Sequence, residues 1–506
     1  MNCRETDHYT QGQECFVRII PAPVIYPSVL SRFLPPFARL SNRTQNKRIQ
    51  YIAPLPERLY NKHDRFHPYR RRGRLYKRSM KSESQKRKVQ QMKIQFNRQK
   101  PAAPGPARLR GLRPRLAAAV VLLALSAGLM ALAAARPQFA EWYAENIYPV
   151  FVDTAGRLWG IFPFSVSELT LYILIAAFVL STAVMVSKTV KGAKEKKAVR
   201  RHSTDTAVSS GAARAAAQST EQTAVQGTEQ TAVQNAAQAA ASWLSCILLA
   251  AGILAFLYTI CCGINYHRRS FSEEEGIVTY RYTAQELKDV CLWLTEEVNA
   301  LSGEVDRDSS GVMTLEAPEG EGAVEAMRDL AEEFPALEGY YPQPKKLLVS
   351  EILSYQGLTG IYSPFTVEAN YNGDMTAYNI PFTTCHELSH LRGFMQEEEA
   401  NFIAFLACIG SERTDFQYSG YLSGWVYCMN ALYRADQESW QEVRPLLAEE
   451  AGPDLEADSA FWDEYEGRIS ETADKINDTY LKVNGQADGV RSYSRMVDLI
   501  VAYKNL

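Results

Sequence analysis

The chain has 506 residues, of which 46% are hydrophobic, and its formal net charge is −2. That is enough apolar material for a large core, and nine cysteines in so long a chain exclude a small disulfide-held scaffold. The near-neutral total hides a division, because residues 1–115 carry 27 Lys and Arg against 6 acidic residues, while residues 265–506 carry 18 against 43. Such asymmetry suggests two compartments or a basic tail beside an acidic domain, and the membrane segments decide between them; the basic runs are expected to serve as a positive-inside determinant, with no nucleic-acid partner.

In chain order, residues 1–115 form a basic segment in which prolines interrupt the short apolar stretches. It reads as a poorly ordered cytoplasmic tail, and Met92 stands as an alternative start. Three apolar runs follow: Leu116 to Ala135, Val166 to Ser187 and Trp243 to Ile264. Each has the roughly 20 residues needed to cross a bilayer, so residues 116–264 are expected to be a three-span membrane region. Arg108, Arg110, Arg113 and Arg115 precede the first run, and Lys188, Lys191, Lys194, Lys196 and Lys197 follow the second. Arg136 and Arg157 alone lie between those two runs. The positive-inside bias therefore predicts a multi-pass protein of the cell membrane with a cytoplasmic N-terminus and residues 265–506 outside. The first run begins too late for a cleaved signal and reads as an uncleaved anchor. Residues 188–242 are rich in Ala, Gln and Thr, and Thr220–Gln226 repeats as Thr228–Gln234. This composition predicts a cytoplasmic linker.

The outer domain reads as mostly α. Leu287, Val290, Cys291, Leu294, Val298 and Leu301 follow helical spacing, with Thr283 as N-cap and Glu286 three residues on. Residues 303–321 read as an acidic, Gly-rich loop, followed by helices over 323–333 and 346–355. Residues 360–371 have a β-rich look. Residues 361–371 are a candidate for pairing with an extended substrate, or for a purely supporting strand. Helices are predicted over 421–434, 439–449, 457–481 and 491–504.

One motif carries the chemistry: Cys385-His386-Glu387-Leu388-Ser389-His390, a complete H-E-x-x-H. Histidines four apart share one helix face, so both imidazoles can reach a single metal ion, and the glutamate beside the first can take a proton from water there. Pro381 suits the first turn of such a helix, and Gly393 is a natural stop. A third ligand is offered by Glu397-Glu398-Glu399-Ala400-Asn401, at the start of a second helix from about Met395 to Ile409. Glu397 is the favoured ligand. Small Ala400 would let the two helices approach, and Glu398 and Glu399 suit a helix N-terminus electrostatically. Cys385 is turned about 100° from His386 and is expected to be packed rather than metal-bound. A Cys385–Cys408 pair between the two helices is conceivable.

Together with Gly360-Ile361-Tyr362-Ser363-Pro364-Phe365-Thr366-Val367-Glu368-Ala369-Asn370, Tyr418-Ser419-Gly420-Tyr421 and Ser492-Tyr493-Ser494-Arg495-Met496-Val497-Asp498, these motifs resemble a bacterial membrane-protein family known only as a domain of unknown function. The resemblance covers most of residues 116–506. In plan it is similar to gluzincin-type zinc peptidases, with H-E-x-x-H on one helix and E-x-x-A-N or E-x-x-A-D on the next. Asn401 stands where many members carry aspartate. The resemblance implies a membrane-anchored zincin-like metallopeptidase and supplies no substrate.

The chemistry expected is hydrolysis of a peptide or protein assisted by Zn²⁺ on His386, His390 and Glu397, with Glu387 as general base. Tyr421, Tyr427, Tyr433, Tyr493 and Arg495 have the chemistry to stabilise an oxyanion, and Glu368, Asn370 and Asn372 could orient ligands or substrate. Two other readings use the same residues. One is a non-catalytic metal-binding sensor or assembly domain, whose site a fourth protein ligand would close. The other is a hydrolase of cell-wall amides.

Overall fold

The computed structural model describes residues 111–207, 215–316 and 319–505, which are mostly helical, with a small sheet. The expectations for the basic segment before residue 111, the Met92 start among them, lie outside the described residues. Helices of eight or more residues are numbered in chain order.

Three helices are long and apolar enough to cross a membrane: α1 (Leu112–Ala135), the Val166–Lys191 part of α3 (Val166–Ala207), and the Gln234–Cys261 part of α4 (Ala215–Cys261). They coincide with the three predicted runs. The stretch 188–242, expected to be a linker, is helical on both sides of 208–214. Its Ala, Gln, Glu and Lys content favours helix even where no apolar face is present to pack.

Between α1 and α3, helix α2 (Pro137–Asn146) and a series of short helical turns over 148–160 pack against the C-terminal domain. Tyr143 donates its hydroxyl to the Ile260 carbonyl at the end of α4 (2.8 Å). Tyr148 is 1% exposed and donates to the Leu391 carbonyl (2.9 Å) while sharing a 2.8 Å hydrogen bond with Tyr362. The end of α1, the start of α3 and the end of α4 thus all meet the same domain.

That domain is a helical body: α5 (Ala284–Ser302), α6 (Glu319–Glu333), α7 (Asn379–Leu391), α8 (Glu397–Ile409), α9 (Thr414–Ala435), α10 (Gly452–Tyr465), α11 (Arg468–Val483) and α12 (Met496–Lys504). The Thr283–Glu286 capping box forms as read from sequence. The helix expected over 346–355 reduces to one turn at Glu351–Ser354. The helix expected over 457–481 is two helices, broken at Glu466 and Gly467.

Three strands, β1 (Lys345–Lys346), β2 (Gly360–Ser363) and β3 (Glu368–Tyr371), form a sheet in the order β1-β3-β2. β3 is central, parallel to β1 and antiparallel to β2, with Ile361 opposite Asn370 and Ser363 opposite Glu368. The polar residues of β3 serve structure rather than a ligand. Glu368 pairs with buried Lys345 and accepts hydrogen bonds from the backbone amides of Val166 (3.2 Å) and Ser167 (2.8 Å) at the start of α3. A carboxylate in that position satisfies two orphan amides of the helix end. Asn370 donates to Ser167 Oγ and to the carbonyls of Ile361 and Glu368. Asn372, just beyond β3, donates to Ser354 and Leu358.

Candidate metal centre

Helix α7 begins at Asn379, with Pro381 in its first turn, where the missing amide proton costs no helical hydrogen bond. It stops at Arg392, and Gly393 takes φ +93°, a left-handed conformation that favours glycine. The amide of Gly393 bonds the His390 carbonyl (2.9 Å) and that of Phe394 bonds the Ser389 carbonyl (3.2 Å), which closes the helix end. The reversal aims α8 back along α7. All thirteen residues of α7 are buried, and so are Glu397, Glu399, Ala400 and Asn401 of α8.

The turn brings His386, His390 and Glu397 together, with one ligand atom from each lying within 4.8 Å of the others. Glu397 Oε2 sits 3.3 Å from His386 Nε2 and 3.5 Å from His390 Nε2. These spacings discriminate between two arrangements. A charge-assisted imidazole–carboxylate hydrogen bond closes to about 2.7–2.9 Å, and neither contact does. Ligands about 2.0–2.1 Å from a tetrahedral zinc-like ion stand about 3.3–3.4 Å apart, close to the two edges that meet at Glu397 Oε2. His390 Nδ1 lies 2.8 Å from the Phe394 carbonyl, which can only accept, so Nδ1 carries a proton and Nε2 is the ring atom that faces Glu397. Held in this way, Nε2 is the atom placed to ligate a cation that displaces its proton. The residues present fit a divalent metal ion.

In the cation-free site the charges of the triad are set by burial and by one another. Burial opposes charge on Glu397, yet the neighbouring His390 overcomes it and holds the carboxyl down at about 2. Burial likewise works against a charged His390, but Glu397 raises it to about 9. Burial pushes His386 down, with His390 adding to the effect. Glu387 is lifted to about 8 by burial. A positive charge within a few ångströms favours its ionised form.

Glu387 lies on the wall of a cleft of about 630 Å³ that is bordered by Gln356–Gly360, Phe382, Thr383, Asn401, Tyr427, Tyr493 and helix α11. Gly360 is there because nothing larger fits: a Cβ at this position would stand 2.5 Å from Glu387 Oε1 and 2.8 Å from both Glu387 Cγ and Thr383 Cγ2. Sequence reading passed over Gly360, since nothing in Gly-Ile-Tyr-Ser announces a carboxylate from another element.

Of the five residues offered for oxyanion contact, Tyr427 and Tyr493 line the cleft. Tyr421 instead packs edge-on against Trp293 and Phe405, Tyr433 against Trp440, and Arg495 pairs with Asp488 and Glu398. Asn401 connects the two cleft tyrosines, donating to the Tyr427 hydroxyl and to the Tyr493 carbonyl, each at 3.3 Å. An amide can donate there where aspartate would only accept. Glu398 and Glu399 have partners of their own: Gln486 donates to the first (2.7 Å), and Ser272 donates its amide and hydroxyl to the second (2.9 and 2.6 Å). Cys385 and Cys408 are both free and fully buried. The candidate pairing strand narrows to β2, because β3 is hydrogen-bonded on both sides while β2 is an outer strand whose Gly360 reaches the cleft.

Among known proteins, the family model described as "Protein of unknown function (DUF3810)" matches residues 222–501. The matched stretch holds the third apolar helix and the whole site, and it starts after the first two spans. No curated protein and no solved structure matches the chain.

Proposed function

The chain belongs to the DUF3810 family, and from the geometry of its buried triad we propose that it is a membrane-anchored metallopeptidase that hydrolyses peptide bonds at the outer face of the membrane. The observation that carries this reading is the convergence of His386, His390 and Glu397, with Glu397 Oε2 3.3 and 3.5 Å from the two Nε2 atoms, beside a buried glutamate that opens on a cleft. Zinc is the ion this donor set suits best, and when bound it supplies Lewis acidity for the carbonyl and lowers the pKa of water. Among the described residues the cluster has three donors, which leaves room for a reactant and speaks against a purely structural, closed site.

The residues of the chain then divide the work. His386, His390 and Glu397 hold the ion. The Glu387 carboxylate takes a proton from water as its oxygen attacks the carbonyl carbon, then returns that proton to the nitrogen as the C–N bond breaks. Tyr427 and Tyr493, positioned by Asn401, are the hydroxyls available to the developing oxyanion. The outer strand β2, whose Gly360 borders the cleft, is where an extended substrate would pair as it runs past Glu387. The outward placement is supported by the basic residues before α1 and along α3, and by the way all three spans deliver their opposite ends to the domain.

The test is the Glu387→Gln protein, purified full-length and assayed for bound metal and for cleavage of peptides and cell-wall fragments. Retained metal with peptide cleavage reduced about 10²–10⁴-fold supports the reading. Cleavage of cell-wall amides alone would reassign the substrate, and unchanged biological activity in the variant would make the site a binding module.

A further inference from the structure

Helix α11 sorts its residues by chemistry: Ile469, Ala473, Ile476, Tyr480 and Val483 recur along one side, and Glu471, Lys475, Asp478 and Lys482 along the other. Such a stripe ordinarily packs on a core, yet Ile469, Ile476 and Val483 are 59%, 65% and 78% exposed. The stripe borders two adjoining hollows. One is the cleft that holds His386 and Glu387. The other is a groove of about 660 Å³ lined by Met130 of α1, Tyr258 of α4 and, on α11, Ile476, Tyr480 and Val483 flanked by the polar Thr472, Lys475 and Thr479. Thr472, Ile476 and Tyr480 line both. Met130 and Tyr258 lie inside the apolar stretches of their spans, about 5–8 Å short of the helix ends at 1.5 Å per residue. Tyr258 donates to Asn484 Oδ1 (2.6 Å) and sets its ring edge-on to Tyr480, with 6.2 Å between centroids, which fixes this end of α11 at the depth of the spans.

We infer that the stripe of α11 forms an apolar passage from the bilayer to Glu387, and that the protein acts on polypeptides whose cleavage site directly adjoins a membrane-embedded apolar segment. The substrate assignment rests on the peptidase reading above. Continuity decides the occupant: the outer part of the passage is walled by spans already in lipid, and its inner part ends at the proposed general base. A water-soluble peptide would have no use for exposed isoleucine and valine along this route.

The experiment uses the full chain in phosphatidylcholine vesicles and has two arms. In the first, Val483→Trp is compared with the native protein in lipids brominated on their acyl chains. The added emission is expected to be quenched by bromolipid and insensitive to aqueous iodide; quenching by iodide alone overturns the passage. In the second, one cleavable sequence is presented on an apolar anchor, either abutting it or separated from it by a long polar spacer. The abutting form is expected to be cleaved about tenfold faster, within the range that apolar pockets discriminate. Val483→Asp, which lies outside the cleft, is expected to erase that difference while sparing the spacer form. Equal cleavage of the two forms by the native protein overturns the substrate assignment. If neither is cleaved, the peptidase reading fails and the assignment with it, while the quenching arm still reports on the passage independently.

Discussion

Gly360→Ala probes the site without touching a metal ligand. The added methyl carbon would sit 2.5 Å from Glu387 Oε1, whereas ordinary contact begins at 3.4 Å, so the carboxyl must retreat by about 0.9 Å. Rotation alone does not clear the clash, because Glu387 Cγ and Thr383 Cγ2 each stand 2.8 Å from the same point and Glu387 is only 4% exposed. A displacement of about 1 Å at a reacting group costs roughly 10²-fold in rate, or about 2.7 kcal/mol of barrier. Overpacking of this kind costs about 1–3 kcal/mol of stability. The expected phenotype is a protein that melts a few degrees lower, binds metal as before and turns over a peptide about a hundredfold more slowly, with kcat carrying most of the loss. The assays are metal analysis, thermal melting and steady-state kinetics on the same preparation. Native turnover together with a native melting temperature would refute the argument, since it would mean that Glu387 does not press on residue 360.

Tyr493→Phe is expected to lower kcat about 10²–10³-fold if its hydroxyl meets the oxyanion, while Tyr421→Phe, on the far packing surface, leaves kinetics unchanged; parallel kinetics on the two variants check this. Glu368→Gln breaks the buried pair with Lys345 and weakens the cap on α3, so thermal or chemical denaturation should show a loss of about 3–5 kcal/mol. Asp458 is raised by burial from 3.8 to about 6. Its proton is held in the folded state and lost in the unfolded state over that window, so its ionisation lowers stability as pH rises from about 4 to 6, and the penalty persists above that. Asp458→Asn keeps an acceptor for Thr376, Asn379 and Trp462 and is expected to stabilise the protein at pH 7–8 by up to about 3 kcal/mol, with no gain below pH 4. Melting curves across that pH range read the difference.

Much of the site was legible because its logic is local. His386 and His390 share a helix face by spacing alone, Gly393 announces the reversal, and Glu397 falls on the first turn of the next helix. The three spans were legible for the same reason, since length and apolarity suffice. What escaped the sequence depends on distant partners. Glu368, Asn370 and Asn372 look free to orient ligands or substrate until the start of α3 and the 354–358 turn arrive to take their hydrogen bonds, and five candidate tyrosine and arginine groups cannot be separated without knowing which packing surface each occupies. Gly360 has no local signature, because the reason for it is a side chain twenty-seven positions away. The helical character of 188–207 and 215–242 was masked by low complexity, although the residue types there are good helix formers.

The seating of Tyr148 between Tyr362 and the Leu391 carbonyl has a consequence for biogenesis. A residue made before the second apolar helix completes the support of a strand and of the helix that carries His386 and His390, made more than two hundred residues later. A fragment released by cutting after the third span would leave that hydroxyl network and the Glu368 cap without their counterparts, so a secreted form of the domain should be short-lived. The apolar helices and the segments between them are therefore part of the support of the site.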